Sequence, residues 1–429
     1  MNSEMNLVIN NLNHSDVYVR LNSLRQLMRK VKSGELEKPV SGRDVNNHIH
    51  SNYSFSPYSP SKAVWMAFAA GLATAGIMDH DSISGAEEFI EAGKIAGIAT
   101  TIGVECRANF SDTPFNGRRL NNPDQDSIAY VALHGIPHSQ IAKVKEFYRP
   151  YSQKRNVRNI KMVEKLNELI EAFGIKLDFQ KDVVSLSNFK DGGSITERHI
   201  LFALSQKLIE LLGKGQPLVD FLQSRMGLKI SAKIEANLND INNLHYEYDL
   251  LGLLKSELTG RIYINAVDEC PDIKEFITFS DSIGAISAYA YLGDVGDSAT
   301  GDKKAQKFED DFLDELFETL RGLGFHAVTY MPSRNSMTQL DRVRELCEKY
   351  SFLQISGEDV NSSRQSFICL ALRNDKFRNL IDTAWALIGH EQIASEHLNA
   401  SMFSAQTEKK YPSLEQRIKV YKGIGLSFG

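Results

Sequence analysis

From residue 44 onward, short apolar runs alternate with longer stretches whose apolar residues recur at helical spacing. The short runs predict strands that end at His48-Ile49-His50, Ile77-Met78-Asp79-His80, Ile102-Gly103-Val104-Glu105 and Val131-Ala132-Leu133-His134. Three more end at Ala288-Tyr289-Ala290-Tyr291, Val328-Thr329-Tyr330 and Leu353-Gln354-Ile355-Ser356. Helical spacing over 61–75, 84–96, 307–323 and 337–350 separates most of them. Repeated strand–helix units predict a parallel sheet wrapped by helices. Seven such units fit either a barrel closed with seven strands or an open doubly wound sheet.

Between about 150 and 260 the rhythm breaks. The pattern there predicts helices over 156–173, 196–212, 217–226 and 246–258, which an insertion on a barrel loop explains economically. Near the N-terminus, Ser15 and Asp16 can cap a helix with apolar positions Val19, Leu21, Leu24, Leu27, Met28 and Val31. Its outer face, Arg20, Arg25, Arg29, Lys30 and Lys32, is expected to be solvated. The predicted organisation is an N-terminal helical extension (1–40), an α/β barrel in two pieces (41–148 and 262–400), a helical insertion (149–261) and a tail (401–429) without a usable pattern.

Composition narrows the class. The 429 residues are 42% hydrophobic and 24% charged, which excludes a disordered chain, a collagen-like chain and a small disulfide scaffold. A net charge of −5 supplies no overall basic field toward nucleic acid or anionic lipid. Cys106, Cys270, Cys347 and Cys369 form no CxxC pair, which argues against a zinc ribbon or disulfide framework and fits a reducing compartment. The start lacks a signal-peptide pattern, and no apolar run approaches the ~20 residues needed to span a bilayer. The expectation is a soluble, cytoplasmic protein with no membrane partner.

Metal-competent residues recur where the predicted strands end. His48 and His50 stand at i and i+2, on one face of a strand. Asp79, His80 and Asp81 end the next run, and Glu105, His134 and Asp359 end or follow others. In a parallel barrel those ends share one face, where catalytic residues gather. Each piece has a plain reading: a surface or core HxH, a capping turn for Asp79-His80-Asp81, a satisfied buried imidazole for His134. Their agreement at five strand ends suits a two-metal hydrolytic centre, in which a carboxylate bridges ions ~3.5–4 Å apart. Alternation would point Cys106 away from Glu105, into the core.

Asn46-Asn47-His48-Ile49-His50, Gly76-Ile77-Met78-Asp79-His80-Asp81, Gly103-Val104-Glu105, Leu133-His134 and Gly357-Glu358-Asp359-Val360-Asn361 resemble, in order, the motifs of the PHP (polymerase and histidinol phosphatase) domain. The resemblance covers about 44–148 and 262–365. It implies a distorted seven-stranded, TIM-like (β/α)7 barrel holding two or three transition-metal ions. Members similar to nucleoside-phosphate phosphatases and RNA exonucleases carry an insertion with an Arg-Pro-His-apolar-Ala sequence. Here Glu197-Arg198-His199-Ile200-Leu201 lacks the proline, and His199 matches the ligand histidine; the plain alternative is a capping-turn histidine after Thr196.

Carried over residue by residue, one ion takes His48, His50, Glu105 and Asp359, and a second shares Glu105 and takes His134 and His199. Imidazoles and carboxylates without thiolate suit Mn, Fe or Zn. Where the family places ligands for a third ion, this chain has Ser56 and Asn361, so a third ion is expected to be weak or missing. His80 and Asp79 are then the candidate catalytic residues, His80 as an acid or phosphate donor. The family's Ala-His-Pro strand end is replaced by Tyr289-Ala290-Tyr291-Leu292-Gly293-Asp294.

Arg334 and Arg364 follow predicted strands on the ligand face, and a guanidinium fork suits phosphate oxygens. Arg155 and Arg158 share a helix face and could reach over the site, with a solvated basic face as the plain alternative. The preferred reading is a metal-dependent phosphoesterase acting on a small phosphorylated substrate, a nucleotide or sugar phosphate rather than a nucleic-acid polymer. The competing readings are a degenerate, non-catalytic metal-binding module and a metal-dependent sugar isomerase or amidohydrolase. The sequence leaves the oligomeric state open.

Overall fold

The structure is a computed structural model that describes residues 3–40, 42–296 and 306–428. Seven strands form one sheet whose spatial order is the chain order: β1 (Val45–Ile49), β2 (Thr74–His80), β3 (Ala99–Asn109), β4 (Ile128–His134), β5 (Ile286–Ala290), β6 (Ala327–Tyr330) and β7 (Leu353–Ser356). The sheet curls until its edges meet. A parallel bridge pairs Ile49 with Val360. There the His50 N–H donates to the Val360 carbonyl (2.9 Å) and the Val360 N–H to the His48 carbonyl (3.1 Å). The result is a distorted seven-stranded barrel of the TIM-like kind.

The expected parallel sheet fails at one strand. β1–β3 and β5–β7 are parallel, but β4 runs antiparallel to both neighbours. The 18 residues between Asn109 and Ile128 form turns and no helix, and they return the chain alongside β3 as an antiparallel neighbour. Tyr130 consequently pairs with Arg107 toward the carboxyl end of β3. His134 lies past the Leu133–Val104 pair, on the amino side of Glu105. It does not share the strand-end face expected for it.

An N-terminal pair of helices, α1 (Ser3–Asn10) and α2 (Val17–Ser33), precedes the barrel. Asp16 caps α2 by accepting the Tyr18 N–H, and Gly34 ends it at φ 81°. Then come α3 (Pro60–Ala69) and α4 (Ala86–Ala96). Arg20 is not on a solvated face: it is buried, and its Nε donates to Glu88 Oε1 on α4 (2.8 Å). The apolar side of α2 docks on the barrel, and Arg20 sits within that contact because its partner lies there.

The insertion comprises α5 (Ile141–Ile170), α6 (Glu197–Leu212), α7 (Gln216–Asp220), α8 (Ala232–Asn239) and α9 (Tyr246–Ile262). It has its own core, with Met162, Leu166, Leu204 and Leu254 at the centre and Phe55 of the barrel joining it. The barrel resumes with α10 (Ile273–Ile283), α11 (Leu313–Leu323), α12 (Met337–Tyr350) and α13 (Arg378–Glu396). No helix among the described residues is long and apolar enough to cross a membrane.

The tail forms α14 (Ala405–Lys410) and α15 (Leu414–Leu426), and α15 packs closely along α13. That contact is backbone against backbone. A Cβ on Gly389 would overlap the Tyr421 carbonyl oxygen, and one on Gly425 the Trp385 carbonyl oxygen. Around this backbone contact, Leu414, Ile418, Tyr421 and Ile424 form an apolar stripe on α15. Gly389→Ala should therefore destabilise the fold by about 1–3 kcal/mol through overpacking, against the ~1 kcal/mol gain in helix propensity expected at an open position. Urea denaturation checks this; a midpoint equal to or above the parent's would contradict the close approach.

Candidate metal centre

The asparagines beside His48 set its position. Asn46 Oδ1 accepts the His48 N–H (3.0 Å), and Asn46 Nδ2 donates to the Glu358 carbonyl (3.1 Å). Asn47 Nδ2 donates to the Ser356 carbonyl (2.9 Å). These bonds tie β1 to the end of β7, 309 positions away in the case of Asn47. The tie brings Asp359 Oδ1 to 3.1 Å from His50 Nε2. His50 Nδ1 lies 3.3 Å from Ser54 Oγ, which leaves Nε2 turned toward His48 Nε2 at 3.2 Å.

Glu105 stands at the centre. Its Oε2 is 3.2 Å from His80 Nδ1, 3.6 Å from His48 Nε2 and 3.9 Å from His50 Nε2. Two overlapping groups result, His48–His50–Asp359 and His50–His80–Glu105, each with ligand atoms within 4.8 Å of one another. Bonds of about 2.0–2.2 Å to one ion place neighbouring donor atoms roughly 3–3.5 Å apart, so the donor set fits a transition metal.

Burial and charge oppose each other here. Burial would lower the His48 pKa, but the Glu105 carboxylate outweighs it and raises the value. Burial would raise Glu105, yet His48 and His80 hold it down near 2. Burial likewise fails to raise Asp359, because His50 holds it well below the usual carboxylate range. His80 and His134 are pushed down to about 3, chiefly by burial. Both imidazoles are neutral at pH 7, the form that binds metal. His134 is 1% exposed, its Nε2 has no hydrogen-bond partner, and it feels the charges of His48 and Glu105. An orphaned buried ring nitrogen at that place is a second feature that fits a metal.

The remaining predicted residues divide. Asp79 is buried and saturated: it accepts from the Ser51 N–H (2.7 Å), Ser51 Oγ (2.6 Å) and Ser54 Oγ (2.6 Å). It holds the loop after His50 and faces no open space. His199 is outside both ligand groups; its Nδ1 accepts the Thr196 N–H (3.0 Å) in a capping box that starts α6. Asn361 Nδ2 donates to Asp359 Oδ1 (2.6 Å), and Ser56 Oγ accepts the Tyr58 N–H (3.4 Å). The two places of a third-metal ligand therefore carry hydrogen bonds of their own.

Arg155 and Arg158 do not reach over the site. Both are buried in a network with Asp81, Glu197 and Glu269. Their face of α5 carries matching carboxylates opposite it, which periodicity cannot show. Arg364 is exposed and grips Asp249 through Nε and Nη2, both at 2.6 Å. Arg334 is the one predicted arginine that lines the pocket, half-buried, with Nε donating to the Leu292 carbonyl (3.3 Å).

That pocket holds about 650 Å³ and joins His48, His80, Glu105 and Asp359 to three cations: Arg334 from the barrel, and Arg198 and Lys255 from the insertion. Sequence reasoning passed over Arg198 and Lys255. Arg198 was legible only as a neighbour of His199, and Lys255 only as a cation among the small residues Gly252, Ser256, Thr259 and Gly260.

The titrations give a checkable sign. An unfolded histidine binds its proton below about pH 6.5. His80, His134 and His199 bind theirs only near pH 3 in the fold, because burial opposes the charge. Between these values the unfolded state holds more protons, so stability falls as pH falls. His326 and His390, which burial holds near 4, act in the same sense, while the raised His48 and Glu309, which burial pushes up to about 7, act in the opposite one. The thermal midpoint of metal-free protein should therefore drop steadily as pH is lowered from 6.5 to 4. A flat profile would contradict neutral buried imidazoles.

Comparison with known proteins bears on the same elements. A crystal structure of a protein from Bifidobacterium adolescentis, provisionally described as a metal-dependent phosphoesterase, superposes with a TM-score of 0.52 over 81% of this chain and 98% of that one, at 18% identity. A 63-residue stretch is 38% identical to a 5'-3' exoribonuclease of Haemophilus influenzae, covering 15% of this chain and 23% of that protein. The chain thus spans about a quarter of that relative's length. The PHP domain matches residues 46–223. That match spans the strands and strand ends that supply His48, His50, His80, Glu105 and His134.

Proposed function

We propose that the protein is a metal-dependent hydrolase that cleaves a phosphomonoester, a nucleotide or a sugar phosphate. The observation that carries this reading is a cluster of three histidines and two carboxylates opening into a pocket that also holds cations. A ligand set of that kind calls for metal, and pocket cations call for an anionic substrate. The residues that would hold divalent ions are His48, His50, His80, Glu105 and Asp359, with His134 supplying a further imidazole. Bound there, such ions supply a water of lowered pKa and Lewis acidity toward a phosphoryl oxygen.

The chain's own groups have separate tasks. Glu105 and Asp359 stay ionised across the working pH range. His80 is neutral, with Nδ1 3.2 Å from Glu105 Oε2, the form in which a ring nitrogen can hold an ion beside that carboxylate. Arg334 offers a guanidinium to a phosphoryl oxygen and remains charged although burial lowers its pKa.

The Haemophilus relative favours a second reading, a 5'-phosphorylated RNA strand as substrate. The two readings share the site and differ in what leaves it. The third, a degenerate module that binds metal without turnover, is tested by the same preparation. The four cysteines are free and buried, in keeping with a reducing, cytoplasmic setting as part of this proposal.

The experiment is elemental analysis followed by turnover with Mn, Fe or Zn on phosphomonoesters and 5'-phosphorylated oligoribonucleotides. The reading requires about two ions per chain and metal-dependent release of phosphate from monoesters. Asp359→Ala should lower metal content and abolish turnover together. Arg334→Ala should keep the metal and reduce kcat/KM about ten- to a hundred-fold, as expected for one charge-assisted hydrogen bond. Turnover confined to oligoribonucleotides would move the assignment to RNA. Bound metal with turnover of neither class would establish the non-catalytic module.

A further inference from the structure

Among the described residues, Arg198 and Lys255 have no salt-bridge partner, although the Asp124 and Asp359 carboxylates line the same pocket and act on Lys255 from a distance. Arg198 is the second residue of α6, and Lys255 lies in the middle of α9, which packs against α6. Both line the 650 Å³ pocket and the narrower cleft that continues it past Tyr130 and Glu197. Among the described residues, neither makes a salt bridge or a side-chain hydrogen bond. Glu197, next to Arg198 in sequence, is turned away and engaged by Arg107 and Arg158. This contrasts with Arg155, Arg158 and Arg107, which the same insertion contact matches with carboxylates.

The two charges act on each other. The Lys255 ammonium has a lowered pKa, first because Arg198 lies close by and then because the pocket walls desolvate it. Its side chain is nonetheless open to solvent at the pocket mouth. Arg198 also reaches the metal cluster electrostatically: its charge helps to lower the pKa values of both His80 and Asp359. Two like charges held together at a concave wall are destabilising unless an anion comes between them.

The surrounding surface leaves room for that anion. Gly252, Lys255, Ser256, Thr259 and Gly260 lie at i, i+3, i+4, i+7 and i+8 of α9, which is one helix face, and all five line the pocket. A Cβ placed on Gly252 or Gly260 would meet nothing within 4 Å. The face toward the metal cluster therefore carries a single long side chain, Lys255, among small ones.

We infer that Arg198 and Lys255 form a phosphate clamp delivered by the insertion: they hold the phosphoryl oxygens of the substrate against the metal centre, so that α6 and α9 complete an active site whose metal ligands come from the barrel. This rests on the phosphoester reading and adds to it the residues that hold the anion. Arg198 presents a planar fork suited to two phosphoryl oxygens, and Lys255 a point charge on a mobile stem.

The test uses the metal-loaded full chain and inorganic phosphate as the probe, with binding followed by titration calorimetry. Lys255→Met and Arg198→Gln should each weaken phosphate about ten- to a hundred-fold with metal content per chain unchanged, and the double variant more than either. Lys255→Arg should recover part of the loss, which a merely structural role would not predict. In turnover the same variants should raise KM for a phosphomonoester. Lys255 is exposed, so Lys255→Met provides a folded variant even if Arg198→Gln does not. Parental phosphate affinity in the Lys255→Met protein, or in the folded double variant, would overturn the clamp whether or not the enzyme turns over. So would a parent that binds no phosphate. A parent that binds phosphate through this pair yet hydrolyses no phosphoester would support the clamp and overturn the catalytic reading instead.

Discussion

Three guanidinium groups and three carboxylates lie buried where the insertion meets the barrel, and the site's geometry depends on their mutual neutralisation. Arg107 of β3 donates to Glu269 (2.5 Å) and lies 3.3 Å from Glu197. Arg158 of α5 reaches the same two carboxylates, and Arg155 pairs with Asp81 and Glu269. Each ion costs several kcal/mol to desolvate, and removing one partner of such a pair typically costs 3–5 kcal/mol because the other is left stranded. The arrangement carries three charges of each sign. It joins the strand that carries Glu105 to the helix that starts at Glu197, and Asp81 links both to the end of β2. The metal centre and the insertion wall are therefore not free to drift apart.

The direction of β4 has a comparable reach. Were β4 parallel, His134 would stand at the carboxyl face beside Glu105, and Tyr130 would be buried near the opposite end. The antiparallel course exchanges them. His134 enters the barrel interior below Glu105 as an orphaned neutral imidazole, and Tyr130 comes to line the pocket, its ring 6.0 Å from that of His80. The antiparallel return after an eleven-residue β3 thus changes which side chain of β4 lines the pocket.

Much of the fold was readable because its signals are local. Six of the seven strand ends fall within a residue or two of where apolar runs met polar residues, and β3 continues past Glu105 to Asn109. Those same polar residues, His48, His50, His80, Glu105 and Asp359, are the ones that gather. What could not be read depends on partners distant in sequence. Asp79 looks like a catalytic carboxylate until Ser51 and Ser54 are seen to saturate it. Arg20, Arg155 and Arg158 look like solvated or substrate-facing cations until Glu88, Glu197 and Glu269 are placed opposite them. His199 fits a ligand motif, the preferred reading from sequence, while its Nδ1 is engaged in a cap three residues away. The tail carried a readable stripe in Leu414, Ile418, Tyr421 and Ile424, but its close approach to α13 through Gly389 and Gly425 leaves no hydropathy signal.

The same reasoning explains why the insertion contains both the most tightly paired and the least paired cations of the region. Charge that serves architecture must be matched within the protein, since desolvation without a partner costs more than the fold can return. Charge that serves a ligand must be left unmatched and accessible, because an internal carboxylate would compete for the same guanidinium or ammonium. Arg107, Arg155 and Arg158 satisfy the first condition and Arg198 and Lys255 the second, although all five lie in or against one insertion. The division has a structural cause at Glu197. Its carboxylate is drawn into the network by Arg107 and Arg158, which removes the nearest internal partner from Arg198 and leaves that side chain facing the pocket. The network that fixes the insertion thereby also determines which of its cations remain open to an anion.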